Sequence, residues 1–96
     1  MVNYEGVFIL DPDLSADVAK TTVTQIQDLV TKNGGRIDGI QEWGKKRLAY
    51  EIKKKKDGSY VVLNFQLDSL STKKVDQTLR LNDNILRFLL VNKDNL

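Results

Sequence analysis

Apolar and polar residues alternate along the first ten positions, as they do in a β-strand. One side of this predicted strand carries Tyr4, Phe8 and Leu10, and the other carries Val7 and Ile9. Because both sides are largely apolar, we expect a central strand of a sheet. The Asp-Pro-Asp sequence at 11–13 ends the strand, since proline has no backbone N–H to donate.

Two segments repeat apolar residues at the spacing of an α-helix. The first runs from about Ser15, a good N-cap, to Asn33, which precedes a Gly-Gly pair suited to a helix exit. The second follows Ser71, its predicted N-cap, with Leu70 at hydrophobic-staple spacing, and ends at Asn82. Each segment therefore predicts an amphipathic helix that packs on a sheet.

Three further segments predict strands. The longest, 36–53, contains a Gly that indicates a bulge at Trp43-Gly44. A polar connection at 53–58 with an Asp-Gly turn leads to a strand at 60–67, and the last strand covers 85–92. This order predicts an α+β fold of the ferredoxin-like split β-α-β type (βαββαβ), a four-stranded antiparallel sheet with two helices on one face. Right-handed crossovers give the spatial order second, third, first, fourth strand.

Length and composition exclude several classes of function. A chain of 96 residues is expected to form one domain, 1–96. It has no Cys and no His, which excludes a disulfide, a thiolate metal site and a Ser-His-Asp triad. We expect no cofactor, and no metal because copper carriers of this fold use a Cys-x-x-Cys loop that the chain lacks. We expect no enzymatic activity, because the loop at 11–13 is acidic and would repel the phosphate that acylphosphatase-type enzymes of this architecture bind. No membrane helix or signal peptide is visible, so we expect a cytosolic protein.

Basic residues are concentrated in one segment, although the net charge is only +2. Positions 45–56 contain seven basic residues and one acid, so this segment carries +6 and the remainder carries −4. The seven cations are Lys45, Lys46, Arg47, Lys53, Lys54, Lys55 and Lys56. Two interpretations stay open: an arm that docks on RNA phosphates, or a solvated edge that protects the sheet from aggregation.

A second candidate surface is apolar. On the sheet face without helices we expect a patch formed by Val7, Ile9, Val62, Leu89 and Val91. Monomeric proteins rarely leave a large apolar patch exposed. The patch indicates a protein partner or self-association, or else consists of scattered surface apolar residues, and the sequence leaves these interpretations open.

The most specific motif in the chain is Trp43-Gly44-Lys45-Lys46-Arg47-Leu48-Ala49-Tyr50-Glu51-Ile52, followed by Gly58 and Tyr60. It resembles the Trp-Gly-basic-basic-basic-Leu-Ala-Tyr-x-Ile motif of the ribosomal small-subunit protein six family. Three other parts resemble the same family, namely Tyr4-Glu5 with Phe8-Ile9-Leu10, Gly34-Gly35, and residues 79–87. The resemblance covers nearly all of the chain.

The resemblance implies a ferredoxin-like, non-catalytic constituent of the small ribosomal subunit, cytoplasmic unless the ribosome is organellar. It implies two partners, the central domain of 16S rRNA and ribosomal small-subunit protein eighteen. With the lysine run, it places RNA or partner contacts at Tyr4, Lys45, Lys46, Arg47, Lys53, Lys54, Lys55, Lys56, Arg87 and Lys93. Arg47 is the strongest candidate, because its planar fork suits phosphate. For Trp43 we expect burial. The alternative function is a non-ribosomal protein–protein adaptor that uses the open sheet face or an edge strand.

Overall fold

The computed structural model of the protein describes residues 1–95. Its elements are β1 (Val2–Leu10), α1 (Ala16–Lys32), β2 (Arg36–Ile52), β3 (Lys55–Leu67), α2 (Ser69–Arg80) and β4 (Ile85–Asn92), followed by a 3-10 turn at Lys93–Asn95. The strands form one antiparallel sheet in the order β2-β3-β1-β4. The predicted ferredoxin-like fold and strand order are therefore confirmed. No helix within residues 1–95 is long and apolar enough to cross a membrane.

The main core lies between the two helices and one face of the central strands. It joins alternate residues of β1 and β3 to the apolar stripes of both helices. Its fully buried members include Phe8, Phe65, Leu63, Leu67, Val30 and Val75. The ring of Phe65 stacks on that of Tyr4 with 5.5 Å between centroids, which adds to the stabilisation from apolar burial.

The two helices begin at different kinds of cap. Ser15 caps α1 as predicted, since its Oγ accepts a hydrogen bond of 3.2 Å from the Val18 N–H. For α2 the predicted cap at Ser71 is wrong, because the Asp68 side chain accepts from the Leu70 N–H at 3.1 Å and the helix starts at Ser69. The Asp68 carboxylate lies directly after β3 and satisfies a free N–H group at the start of the helix, so α2 begins earlier in the chain than it would with a cap at Ser71. Leu70 is 87% exposed and therefore does not staple the helix.

β2 and β3 join at a tight turn whose predicted position is wrong. Ile52 pairs with Lys55, so the turn consists of Lys53 and Lys54, whose φ values are +50° and +66°. A two-residue hairpin turn of the type that fits twisted strands requires positive φ at both positions. The Asp-Gly sequence at 57–58, predicted to form the turn, instead lies inside β3.

The register of β2 against β3 shifts at three places, and two of them lie in the half of β2 nearer this turn. One shift falls between Glu42 and Gly44, where Gly44 has a φ of +79°, and this confirms the predicted bulge. The other falls between Arg47 and Ile52. We call the hairpin segment 45–56, which contains the second shift and the turn, the arm.

The arm packs on the sheet face that is turned away from the helices. Leu48 and Ile52 of the arm form a second apolar cluster with Leu86, against which Ile9 and Tyr60 also pack. The predicted apolar patch on this face is therefore smaller than expected. Val62 is buried and Ile9 packs against the second cluster, whereas Leu89 is 60% exposed.

Candidate nucleic-acid interface

Most of the cations predicted in the arm are exposed and unpaired. The exposed ones are Lys45, Lys46, Arg47, Lys53, Lys54 and Lys56. Within residues 1–95 none of these six side chains lies within ion-pair distance of a carboxylate. Arg47 is opposite Asp57 in the ladder, but the two side chains do not form a salt bridge. The arm therefore presents six cationic groups to an external anion.

Lys55 is the exception, because its ammonium already pairs with carboxylates of the chain, and its contact with RNA stays a prediction. Its Nζ lies 3.5 Å from Oδ1 of Asp11 and forms a closer ion pair with Asp13. The hydrogen bond from Lys55 lowers the pKa of the Asp13 carboxyl, and the same bond raises the pKa of the Lys55 ammonium. Lys55 thus ties the arm to the loop between β1 and α1.

Arg87 lies on β4, at the sheet edge opposite β2, and contacts the arm. Its guanidinium carbon lies 5.6 Å from the ring centroid of Tyr50, and its Nη1 donates a hydrogen bond of 2.5 Å to the Tyr50 hydroxyl. Tyr50 itself is exposed. In the sheet order, β2 and β4 are at opposite edges, which alone would keep Arg87 away from the arm. The second register shift and the apolar cluster instead bring the arm close to Arg87.

The two remaining candidates lie elsewhere. Lys93 follows the far end of β4 and its Nζ donates to Oδ1 of Asn64 at 2.9 Å, away from the arm. Tyr4 is only 7% exposed, and its hydroxyl accepts a hydrogen bond of 2.9 Å from Thr72. A buried ring with a hydrogen-bonded hydroxyl is typical of a packing residue, and the predicted contact of Tyr4 with RNA or a partner stays a prediction.

Trp43 is a surface residue, so its predicted burial is wrong. It is 50% exposed, and its Nε1 donates a hydrogen bond of 3.1 Å to Oε1 of Gln41. The Nζ of Lys46 lies 5.1 Å from the ring centroid, a cation–π geometry. The sequence feature that indicates this exposure is the adjacent Gly44, because a Gly in a strand favours a bulge, and a bulge on an edge strand can turn a side chain away from the core.

The side chains of this surface are suited to binding an anion. Lysine and arginine side chains supply hydrogen-bond donors and positive charge, and the exposed rings add flat apolar faces. Within residues 1–95 no group of three or more metal-binding side chains is positioned to hold a metal ion.

The chain matches known proteins in sequence. The family model described as Ribosomal protein S6 matches residues 3–92. The chain is 39% identical over 94 residues to small ribosomal subunit protein bS6 of Thermoanaerobacter pseudethanolicus, covering 98% of this chain and 99% of that protein. It is 40% identical over 91 residues to bS6 of Clostridium acetobutylicum, covering 95% and 96%.

The fold is shared as well. The crystal structure of 30S ribosomal protein S6 from Thermotoga maritima matches with a TM-score of 0.92 at 25% identity, covering 98% of this chain and 89% of that one. These matches confirm the resemblance seen in the Trp-Gly-basic motif. The chain belongs to the ribosomal protein S6 family and is a structural, non-enzymatic protein of the small ribosomal subunit in the cytoplasm.

Proposed function

We propose that the chain binds the central domain of 16S rRNA together with ribosomal small-subunit protein eighteen, and that the arm is its RNA-binding element. One observation carries the RNA part of the proposal: six exposed cations that have no carboxylate partner among residues 1–95 lie on a single hairpin. The rest of the chain carries four more acidic than basic residues. The positive potential is therefore focused on the arm, where it favours contact with a polyanion.

In this proposal the arm holds RNA phosphates in register and does not read bases through hydrogen bonds. Each phosphate neutralised by a Lys or Arg releases condensed counterions, which makes binding depend on salt. Arg47 can bind one phosphate through two N–H groups, whereas each Lys acts as a point charge. Lys45 and Lys46 precede Arg47 on β2, and Lys53, Lys54 and Lys56 continue the positive surface across the turn.

Protein eighteen has a different place on the molecule in this proposal. Leu89 is 60% exposed on the edge strand β4, and its ladder partner Val7 is partly exposed on the same sheet face. Val91, two residues further along β4, extends this apolar strip. A protein partner that covers the strip removes apolar surface from water and leaves the arm free for RNA. We therefore expect the chain to bind RNA weakly alone and more tightly with its partner.

Neutralising the arm tests this proposal. We expect the Lys45→Ala, Lys46→Ala, Arg47→Ala triple variant to bind a central-domain rRNA fragment more weakly than the unmodified chain at low salt. The slope of log K against log salt should become shallower by up to about 0.9 for each phosphate of duplex-like RNA that the variant no longer neutralises. The measurement is a binding titration at several salt concentrations, with and without the protein partner.

A matched control separates the arm from net charge. The Lys20→Ala, Lys32→Ala, Lys73→Ala variant removes the same charge from exposed positions on α1 and α2. It should keep the slope of the unmodified chain. Equal slopes for the two triple variants would show that the arm has no special role and would overturn the proposal.

A further inference from the structure

Trp43 is the only Trp of the chain, and its exposure is not explained by the binding of phosphates. It lies in the segment 41–47, whose residues are all exposed. Its ladder neighbours Glu42 and Gly44 pair with Val61 and Tyr60, which leaves Trp43 as the extra residue of the bulge. Bulges redirect side chains and recur next to functional sites. The indole is therefore displayed at the surface by a specific backbone feature.

The ring is held in place although it is exposed. Its N–H already donates to Gln41, so the polar edge is satisfied within the chain and the apolar faces account for most of its remaining binding capacity. Lys46 lies over the ring with 5.1 Å between Nζ and the centroid. A hydrogen-bonded edge and a cation at the face both restrict rotation of the side chain, which lowers the entropic cost of binding a ligand.

We infer that Trp43 stacks against an unpaired RNA base while Lys46 and its neighbours Lys45 and Arg47 bind the adjoining phosphates. The inference rests on the proposed function and specifies the class of RNA that the arm takes, a single-stranded or bulged segment. Single-stranded RNA is bound where aromatic side chains stack on bases inside a positively charged surface. The first half of the arm, with the Trp43 bulge beside it, combines these two features.

Tyr50, the exposed aromatic residue of the arm itself, also lies next to a cation. Tyr50 is 61% exposed and carries the Arg87 guanidinium near its ring. Arginine planes and aromatic rings both serve as stacking surfaces for splayed bases. Two aromatic–cation pairs beside one hairpin fit a strand of nucleotides better than a duplex, whose bases are stacked on each other and inaccessible.

A protein partner fits Trp43 less well than RNA does. A protein that buried the indole would also have to remove the Lys46 ammonium from water, which is unfavourable without a counter-charge. A nucleotide brings a phosphate with its base and so satisfies the cation and the ring together. The observed cation–π pair therefore favours RNA as the occupant.

The intrinsic fluorescence of Trp43 provides a direct test, since no other Trp contributes. At low salt, single-stranded oligoadenylate of about 10 nucleotides, within the site sizes of single-strand binders, should quench the fluorescence saturably. A duplex of equal length should quench it less. In anisotropy titrations with labelled oligoadenylate, Trp43→Leu should weaken binding by about 5- to 150-fold, as expected when one stacked base is removed. Trp43→Phe keeps an aromatic face and should weaken binding much less.

The outcomes separate this inference from the proposed function. If Trp43→Leu binds oligoadenylate as well as the unmodified chain does, stacking is overturned. If the arm triple variant still binds more weakly in that case, the phosphate-binding role of the arm stands; if it also binds normally, both proposals fail. A fluorescence change that appears only on addition of protein eighteen would assign the ring to a protein interface and overturn the inference. Thermal unfolding followed by circular dichroism checks that each variant is folded.

Discussion

Replacing Phe65 by alanine is expected to lower the free energy of unfolding by about 3–5 kcal/mol. Phe65 is 1% exposed on the inner strand β3, and its ring stacks on Tyr4. The substitution removes a large buried apolar surface and leaves a cavity that neighbouring strands cannot close without breaking their ladders. Because domains of this size are stable by about 5–15 kcal/mol, the variant should show a much lower urea midpoint.

Leu70→Ala is the control for this effect. Leu70 is almost fully exposed near the start of α2, so its truncation should change the stability by no more than about 0.5 kcal/mol. Both variants are compared by urea denaturation monitored by circular dichroism. A Phe65→Ala midpoint that matches the Leu70→Ala midpoint would contradict the assignment of Phe65 to the centre of the core.

The second large effect is expected at Gly58, where the arm meets the sheet. A Cβ at this position would lie 2.3 Å from Cγ2 of Ile9 and 3.3 Å from Cδ2 of Leu48. Ile9 is β-branched and belongs to the central strand β1, so its methyl group cannot simply rotate away. Gly58→Ala should therefore cost about 1–3 kcal/mol through overpacking. It should also displace the arm and weaken RNA binding.

Gly39 provides a matched control on β2. A Cβ added there meets no atom within 4 Å, and its backbone does not require positive φ. Gly39→Ala should therefore be neutral or slightly stabilising in the same urea experiment, and should leave RNA affinity unchanged. Equal stability and equal RNA affinity of the two Gly→Ala variants would contradict the claim that the close packing of Leu48 and Ile9 at Gly58 positions the arm.

The helices and the strand order could be predicted because they depend on local patterns. The helical spacing of apolar residues between Ser15 and Asn33 predicted the correct limits of α1, with caps at both ends. The β-α-β-β-α-β order restricts the sheet to few topologies when crossovers are right-handed. The bulge at Gly44 was also indicated locally, since a Gly in a strand favours one.

The hairpin turn could not be located from local preference. Asp57-Gly58 is a stronger turn sequence than Lys53-Lys54, yet the lysines form the turn. Long-range packing decides this, because Gly58 must lie inside β3 to admit Ile9 and Leu48. Two lysines with positive φ are tolerated where the paired strands on each side stabilise the turn.

The positive charge of the candidate site could be predicted from the sequence, but the contacts between its side chains could not. The basic cluster was visible because seven cations lie within the twelve positions 45–56. That Lys55 pairs with Asp11 and Asp13, or that Arg87 approaches Tyr50, depends on residues about forty positions apart. The exposure of Trp43 follows from its place in a bulge on an edge strand, and average burial preferences for Trp contain no such information.

Mapping amide chemical shifts of the isotopically labelled chain, as a central-domain rRNA fragment is added in the presence of protein eighteen, tests the central claim most directly. We predict that the largest changes caused by RNA fall on residues 45–56 and on the Trp43 indole N–H, with small changes along α1 and α2. Large changes confined to the helices, with the arm unperturbed, would contradict the account.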